Sequence, residues 1–404
     1  MSSRCARAMA ASALAIAALS LVWASGVGAA GGTVGDVAAP MDVAQEAVDR
    51  ELSSLDLRSI EEFVAEIDRD MAEHMPRFDI REIISNHGSG LFDAGRLARD
   101  AASLLLGEVK LNLRLLGELI VIAVVCALLT VLGDGLGGEG PAAVAWSVCY
   151  MVIVAIGVNA FSLASHIATG AVDQMMSFMY AMIPSLTALL AASGGIASAA
   201  VVSPMMLAAT SAVATVVKST VIPLLLLAAT LTLVGDISGR KQVSRLAGLL
   251  RSWSLTVLGL VSTVFVAAAG VRGGLASVSD AAAAKAAKFL SGSMIPVVGK
   301  VFGDAIDLVA TSSMMIRGAL GAFGLAALAV VCLHPVIKIA AIMFLFRAGA
   351  AITQPLGDAR VSDCLSELAN SITSLCVSVA TVGLMFFICI SLMIGLGGVI
   401  AAVR

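Results

Sequence analysis

Six ionisable residues, Glu118, Asp173, Lys218, His334, Lys338 and Arg347, lie in or beside long apolar runs. A charge placed in hydrocarbon must find a counter-charge, a carbonyl or water, so each is a candidate functional group. Asp173, Lys218, Lys338 and Arg347 form the candidate polar set. Glu118, Asp173 and Lys218 fall near the ends of apolar runs, where snorkelling to the interface explains them equally well. Lys338 and Arg347 sit deeper and nine residues apart, so they do not share one helical face. They could line a polar path, or pair with neighbouring helices. Pro184, Pro223 and Pro296 are candidate helix breaks, and half-helix ends of this kind can form binding sites.

Other chemistry is missing from the sequence. Gly292 to Gly299-Lys300 has the wrong spacing for a phosphate-cradling loop and lacks its hydroxyl residue. The seven cysteines show no Cys-x-x-Cys, and Cys126, Cys149, Cys332 and Cys389 read as packing residues in apolar segments. No nucleophile elbow occurs, and no His and carboxylate constellation stands out. The expectation is a protein with no catalytic residue, no metal and no cofactor.

These residues sit in an unusually apolar chain. Of 404 residues 59% are hydrophobic and 13% charged, with a mean hydropathy of +1.00. A soluble exterior needs more charge than that, so lipid is the main solvent. A net charge of −3 argues against a nucleic-acid partner. Aromatic residues at 4% argue against an outer-membrane barrel with its aromatic girdles. The fold class expected is all-α, a polytopic helical membrane protein.

Three regions follow. Arg4 and Arg7, the apolar run Met9–Trp23 and the small residues Val27-Gly28-Ala29 make residues 1–30 a signal peptide. Residues 31–113 form an amphipathic helical, extracytoplasmic region; Leu52, Leu55, Ile60, Phe63, Val64 and Ile67 recur at mostly helical steps, and a later helix starts near Ala94. Gly31 to Arg114 holds 17 acidic and 9 basic residues, a net of −8. Residues 114–404 form the transmembrane domain.

A span needs about 20 apolar residues. The candidates are Leu115–Leu132, Ala142–Leu163, Met175–Ala192, Ile196–Val217, Thr220–Val234, Ser252–Gly270, Ala319–Leu333, Pro335–Ile352 and Ile372–Ala401, giving seven to nine spans. Ser193-Gly194-Gly195 predicts a tight antiparallel hairpin between the third and fourth. Ala281–Arg317 is interrupted by Lys285, Lys288, Lys300, Asp304, Asp307 and Arg317, and reads as interfacial helices broken near Gly292 and Pro296. The loop Gly235–Arg251 carries four basic residues against Asp236, which places it inside the cell. On the nine-span count the C-terminus also lies inside.

A shift of 122 residues brings Gly235-Asp236 onto Gly357-Asp358 and Ser252 onto Ser374. Because the two matching loops have opposite charge, an inverted-topology repeat is one reading; chance matching in an Ala-, Leu- and Ser-rich chain is the other.

Motif order points further. Asn159-Ala160-Phe161, Met176-Ser177-Phe178, Met182-Ile183-Pro184, Leu189 to Gly195 and Val221-Ile222-Pro223-Leu224 come first. Leu246 to Arg251, Ala287-Lys288-Phe289, Ile295 to Ala305, His334 to Lys338 and Gln354-Pro355-Leu356-Gly357 follow. In this series the chain resembles the stage III sporulation protein AE family of endospore-forming bacteria. The resemblance implies an integral component of a secretion-like channel between mother cell and forespore, in the mother-cell membrane around the forespore and needed for spore development. It implies partners among other stage III sporulation membrane proteins, including a separate ATPase and ring-forming subunits. It carries no site residues. A secondary transporter with inverted repeats, acting on a small solute, is the alternative.

Overall fold

The computed structural model describes residues 94–403 apart from 136–138, 239–240, 295–297 and 357–358. The expected signal peptide, the amphipathic region up to residue 93 and Pro296 lie outside the described residues. Among the described residues the chain is all helical, with no strand. That is what hydrocarbon demands of a non-barrel protein, because a helix satisfies its own backbone.

Two short helices, α1 (Ala94–Leu111) and α2 (Leu113–Gly135), meet at a 54° bend. Asn112 makes the joint: its side chain donates to the Glu108 carbonyl at 2.8 Å. Long helices follow: α3 (Glu139–Ala192), α4 (Ile196–Val216), α5 (Ile222–Ser238), α6 (Lys241–Met294), α7 (Val298–Thr353) and α8 (Ala359–Val403). A π turn, Val217–Val221, joins α4 to α5, and a 3-10 turn, Gln354–Leu356, follows α7.

Five helical stretches are long and apolar enough to cross a membrane, or six if the bent α1–α2 pair counts as one. The expected seven to nine are not found, for one reason repeated three times. Ala142–Leu163 and Met175–Ala192 are two ends of the single helix α3. Ile196–Val217 and Thr220–Val234 run on through the π turn. Ala319–Leu333 and Pro335–Ile352 are both in α7. In each case a few polar residues or a proline, read as a connection, sit in mid-helix. Nor does the chain break at Gly292, since α6 runs unbroken to Met294.

The α3–α4 hairpin forms where Ser193-Gly194-Gly195 predicts it. Gly194 has φ 95°, the left-handed region open to glycine. Its N–H donates to Ala191, and that of Gly195 to Leu190, both at 3.0 Å. This paired 5→2 and 6→1 bonding closes the helix end and reverses the chain.

Contact pairs fix the directions. Gly157 faces Leu368, and Met175 approaches Gly383, so α3 and α8 run parallel. Gly349 meets Leu365 and Gly321 meets Ile394, so α7 runs against α8. Gly235 packs on Ser244, and Ser254 donates to the Val221 carbonyl at 3.0 Å, so α6 runs against α5. The α5–α6 and α7–α8 connections therefore lie at the same end of the bundle. The two hairpins run in the same direction, and the inverted arrangement of the repeat has no basis in this fold. The C-terminal part of α8 points to the other end, opposite the Gly235–Arg251 segment, not beside it as expected.

The core lies where α3, α7 and α8 meet. Phe161, Phe178, Phe323, Phe346 and Phe386 are fully buried there. Glycines set the spacing: a side chain at Gly157, Gly321 or Gly383 would overlap Leu368, Ile394 or Cys332. Such close approach is how helices hold together in lipid, where burial of apolar surface gives them little drive to associate.

Candidate functional site

Two of the sequence candidates come together. Lys218 Nζ donates to Asp173 Oδ1 at 2.5 Å, joining α3 to the π turn. Neither lies at a helix end. Asp173 is near the middle of the apolar stretch Val144–Ala192, and Lys218 near the middle of Ile196–Gly235. The side chains remain 44% and 33% exposed. The pair thus opens onto the surface of the bundle at mid-height.

Pro223 explains the local backbone. It has no N–H and its ring crowds the carbonyl of residue 219, four positions back. The chain absorbs this by widening one turn: the Ile222 N–H reaches the Val217 carbonyl, five residues back. The expected break at Pro223 is therefore a π turn, a form frequent at functional positions, and it carries Lys218. Pro184 breaks nothing; α3 passes through it. Thr187 accepts a place in the same turn and donates to the Ile183 and Pro184 carbonyls at 2.9 Å.

The pair belongs to a longer polar face. Along α3 the exposed positions between 159 and 180 are Asn159, Leu163, His166, Gly170, Gln174, Ser177 and Tyr180. Only Leu163 is aliphatic. Beside them α4 and the π turn expose Ala208, Ala212, Thr215 and Ser219. Another side of the bundle differs: α6 exposes Leu246, Leu249, Trp253, Leu260 and Val264, and of the hydroxyl residues among them, Thr256 and Thr263 each donate to a carbonyl four residues back. These lie at the same height, because Ser254 bonds Val221 and Val221 is one turn from Lys218. Lipid suits the α6 side and does not suit the α3 side.

The remaining candidates stay apart from this pair. Lys338 and Arg347 are half-buried on α7, nine residues apart and so on opposite sides of it. His334 is half-buried two residues from Cys332, whose neighbour Gly383 also approaches Met175. That puts His334 within about a turn of Asp173 in height. Glu118 pairs with Arg114 at 3.0 Å on the exposed start of α2, a surface pair.

Two arginines matter more than the sequence indicated. Arg251 is seen in the sequence only as one charge of a basic loop. Here its Nε donates to Ser374 and its Nη2 to Ser371, both at 3.1 Å, with Glu367 at 3.6 Å from Nη1. Glu367, Ser371 and Ser374 follow at i, i+4 and i+7, a polar stripe that could have been read from α8. The two segments of opposite charge lie at one end of the bundle and meet through Arg251 and Glu367. Arg317, read as interfacial, is only 3% exposed, and its Nη2 donates to the Ile394 carbonyl at 3.1 Å. Among the described residues its Nε and Nη1 find no acceptor.

No group of three or more His, Cys, Asp or Glu that could hold a metal occurs among the described residues. Of the cysteines expected to pack, Cys126 and Cys389 are buried, Cys389 against Met206, and Cys149 and Cys332 are half-buried; Cys364 is buried as well.

The family model for stage III sporulation protein AE matches residues 78–397. Stage III sporulation protein AE of Bacillus subtilis (strain 168) is 32% identical over 359 residues, covering 88% of this chain and 90% of that protein. No solved structure matches. The matched segment holds every described helix except the end of α8, and with it the Asp173–Lys218 pair; the chain belongs to the stage III sporulation protein AE family.

Proposed function

We propose that this protein is an integral membrane component of a secretion-like channel complex joining mother cell and forespore, required for endospore development. It sits in the mother-cell membrane around the forespore, with its N-terminal region exported and Gly235–Arg251 inside. It acts without catalysis, and energy comes from a separate ATPase in a complex that also contains ring-forming subunits. Family membership supports the sporulation role. The observation that supports the channel role is the polar α3 face and its Asp173–Lys218 pair at the height where α6 is dressed for lipid. The six-pass order puts the C-terminus outside.

A secondary transporter remains the competing class. Its expected basis was an inverted repeat, and hairpins that run in one direction do not supply it.

The test is recovery of the tagged full chain from sporulating cells, with solute flux measured after reconstitution. Co-purification with other stage III membrane proteins, and flux that depends on them, is expected. Substrate-dependent transport by this chain alone would turn the assignment to the transporter.

A further inference from the structure

We propose that the exposed face of α3 lines a water-filled passage through the membrane, whose other walls are further copies of this chain. This rests on the channel reading and names the surface that bounds the conduit.

Depth is the first argument. The large apolar side chains that α6 exposes, Leu246, Leu249, Trp253, Leu260 and Val264, mark where lipid touches the bundle. Through Ser254–Val221 and Lys218–Asp173, that row lies level with the α3 face. Asn159, His166, Gln174, Ser177 and Tyr180 thus stand at hydrocarbon depth and are exposed, with Leu163 and Gly170 between them. Polar groups there must meet protein or water.

Length separates water from protein. Asn159 to Tyr180 spans 21 residue steps, about 31 Å at the helical rise, against a hydrocarbon layer of about 30 Å. One or two hydrogen-bonding groups are enough to hold a partner helix. A polar row running the full thickness is what continuous hydration needs. The half-exposed Asp173–Lys218 pair fits it, since water screens a pair that lipid would not.

Charge and shape identify the other walls. Asp173 is answered by Lys218 within the chain, so the face calls for no oppositely charged partner. A cyclic assembly turns the same face of each copy towards one axis. Beside the face, Ala208, Ala212 and Thr215 of α4 are small and exposed, so a helix of the next copy can approach closely.

The experiment uses single cysteine substitutions in the purified full chain in liposomes, with wild-type labelling as the baseline. Asn159→Cys, His166→Cys, Gln174→Cys and Ser177→Cys sample the α3 face; Leu249→Cys, Trp253→Cys and Leu260→Cys sample α6. A membrane-impermeant methanethiosulfonate is expected to modify the α3 set roughly tenfold faster than the α6 set, because the thiolate forms in water and not in lipid. A lipid-soluble maleimide should label both. Equal, slow modification of the two sets by the impermeant reagent overturns the proposal. If the α3 cysteines then form disulfides between copies, the face is a dry contact. Fast modification seen only when other sporulation membrane proteins are present overturns the assignment of the other walls to this chain. The four α3 positions are read separately, so one misfolded variant does not decide the result. Co-purification of partners is unaffected by either failure, which keeps this inference distinct from the channel complex itself.

Discussion

Arg251 and the Asp173–Lys218 pair show how much a charge depends on what faces it. Arg251 reaches two serines and a carboxylate from one guanidinium, a use of its fork that lysine cannot copy. Arg251→Ala should lower stability in detergent by about 2 kcal/mol, and Arg251→Lys should restore less than half of that loss. Thermal unfolding of the purified variants reads both; full rescue by lysine would refute the forked contact. At the pair, Lys218→Met and Asp173→Asn each leave a charge at mid-membrane depth without its partner. Each should cost roughly 1–2 kcal/mol, and the double variant should cost less than the two together, a coupling of about 0.5–3 kcal/mol. Strict additivity would mean that the pair is incidental.

Among the elements, the glycines of α7 distinguish contact from space. At Gly321 a side chain would overlap Ile394 of α8, whereas nothing lies near Gly318. Gly321→Ala should destabilise by about 1–3 kcal/mol through overpacking. Gly318→Ala should be neutral or stabilise by up to about 1 kcal/mol, because alanine gives up less backbone freedom in a helix. The two substitutions are identical in propensity, so the difference in melting temperature isolates the α7–α8 contact. The same scale explains why five or six spans stand where hydropathy alone implies seven to nine. Hydropathy falls at His166–Gln174, Lys218–Thr220 and His334–Pro335, dips that resemble loops between apolar runs. Hydrogen bonding is blind to that dip: a helix carries polar side chains as readily as apolar ones, and a π turn absorbs Pro223.

For the whole molecule, the prediction concerns sidedness. The α5–α6 and α7–α8 connections share one end, and the α3–α4 turn occupies the other. Cysteines at Gln242 and Gln354 should therefore resist an impermeant reagent added outside intact cells and react after permeabilisation. One at Ile196 should react from outside. Opposite behaviour of positions 242 and 354 would contradict the same-direction hairpins, and labelling of position 242 from outside would reverse the orientation.

The sequence by itself determined the solvent, the secondary structure class, the tight α3–α4 turn and the family, because these follow from composition and from local residue order. Asp173 and Lys218 were also legible as candidates, since a charge among apolar residues is visible in one dimension. That they meet each other, that Arg251 meets α8, and that Arg317 is buried were decided by the tertiary structure. The same holds for the two loops of opposite charge, which look like opposite sides of a membrane until Arg251 and Glu367 are seen to meet at one end. Charge patterning records which residues need a partner. Only the packing of helices 45 to 123 residues apart in the chain decides which partner each one finds.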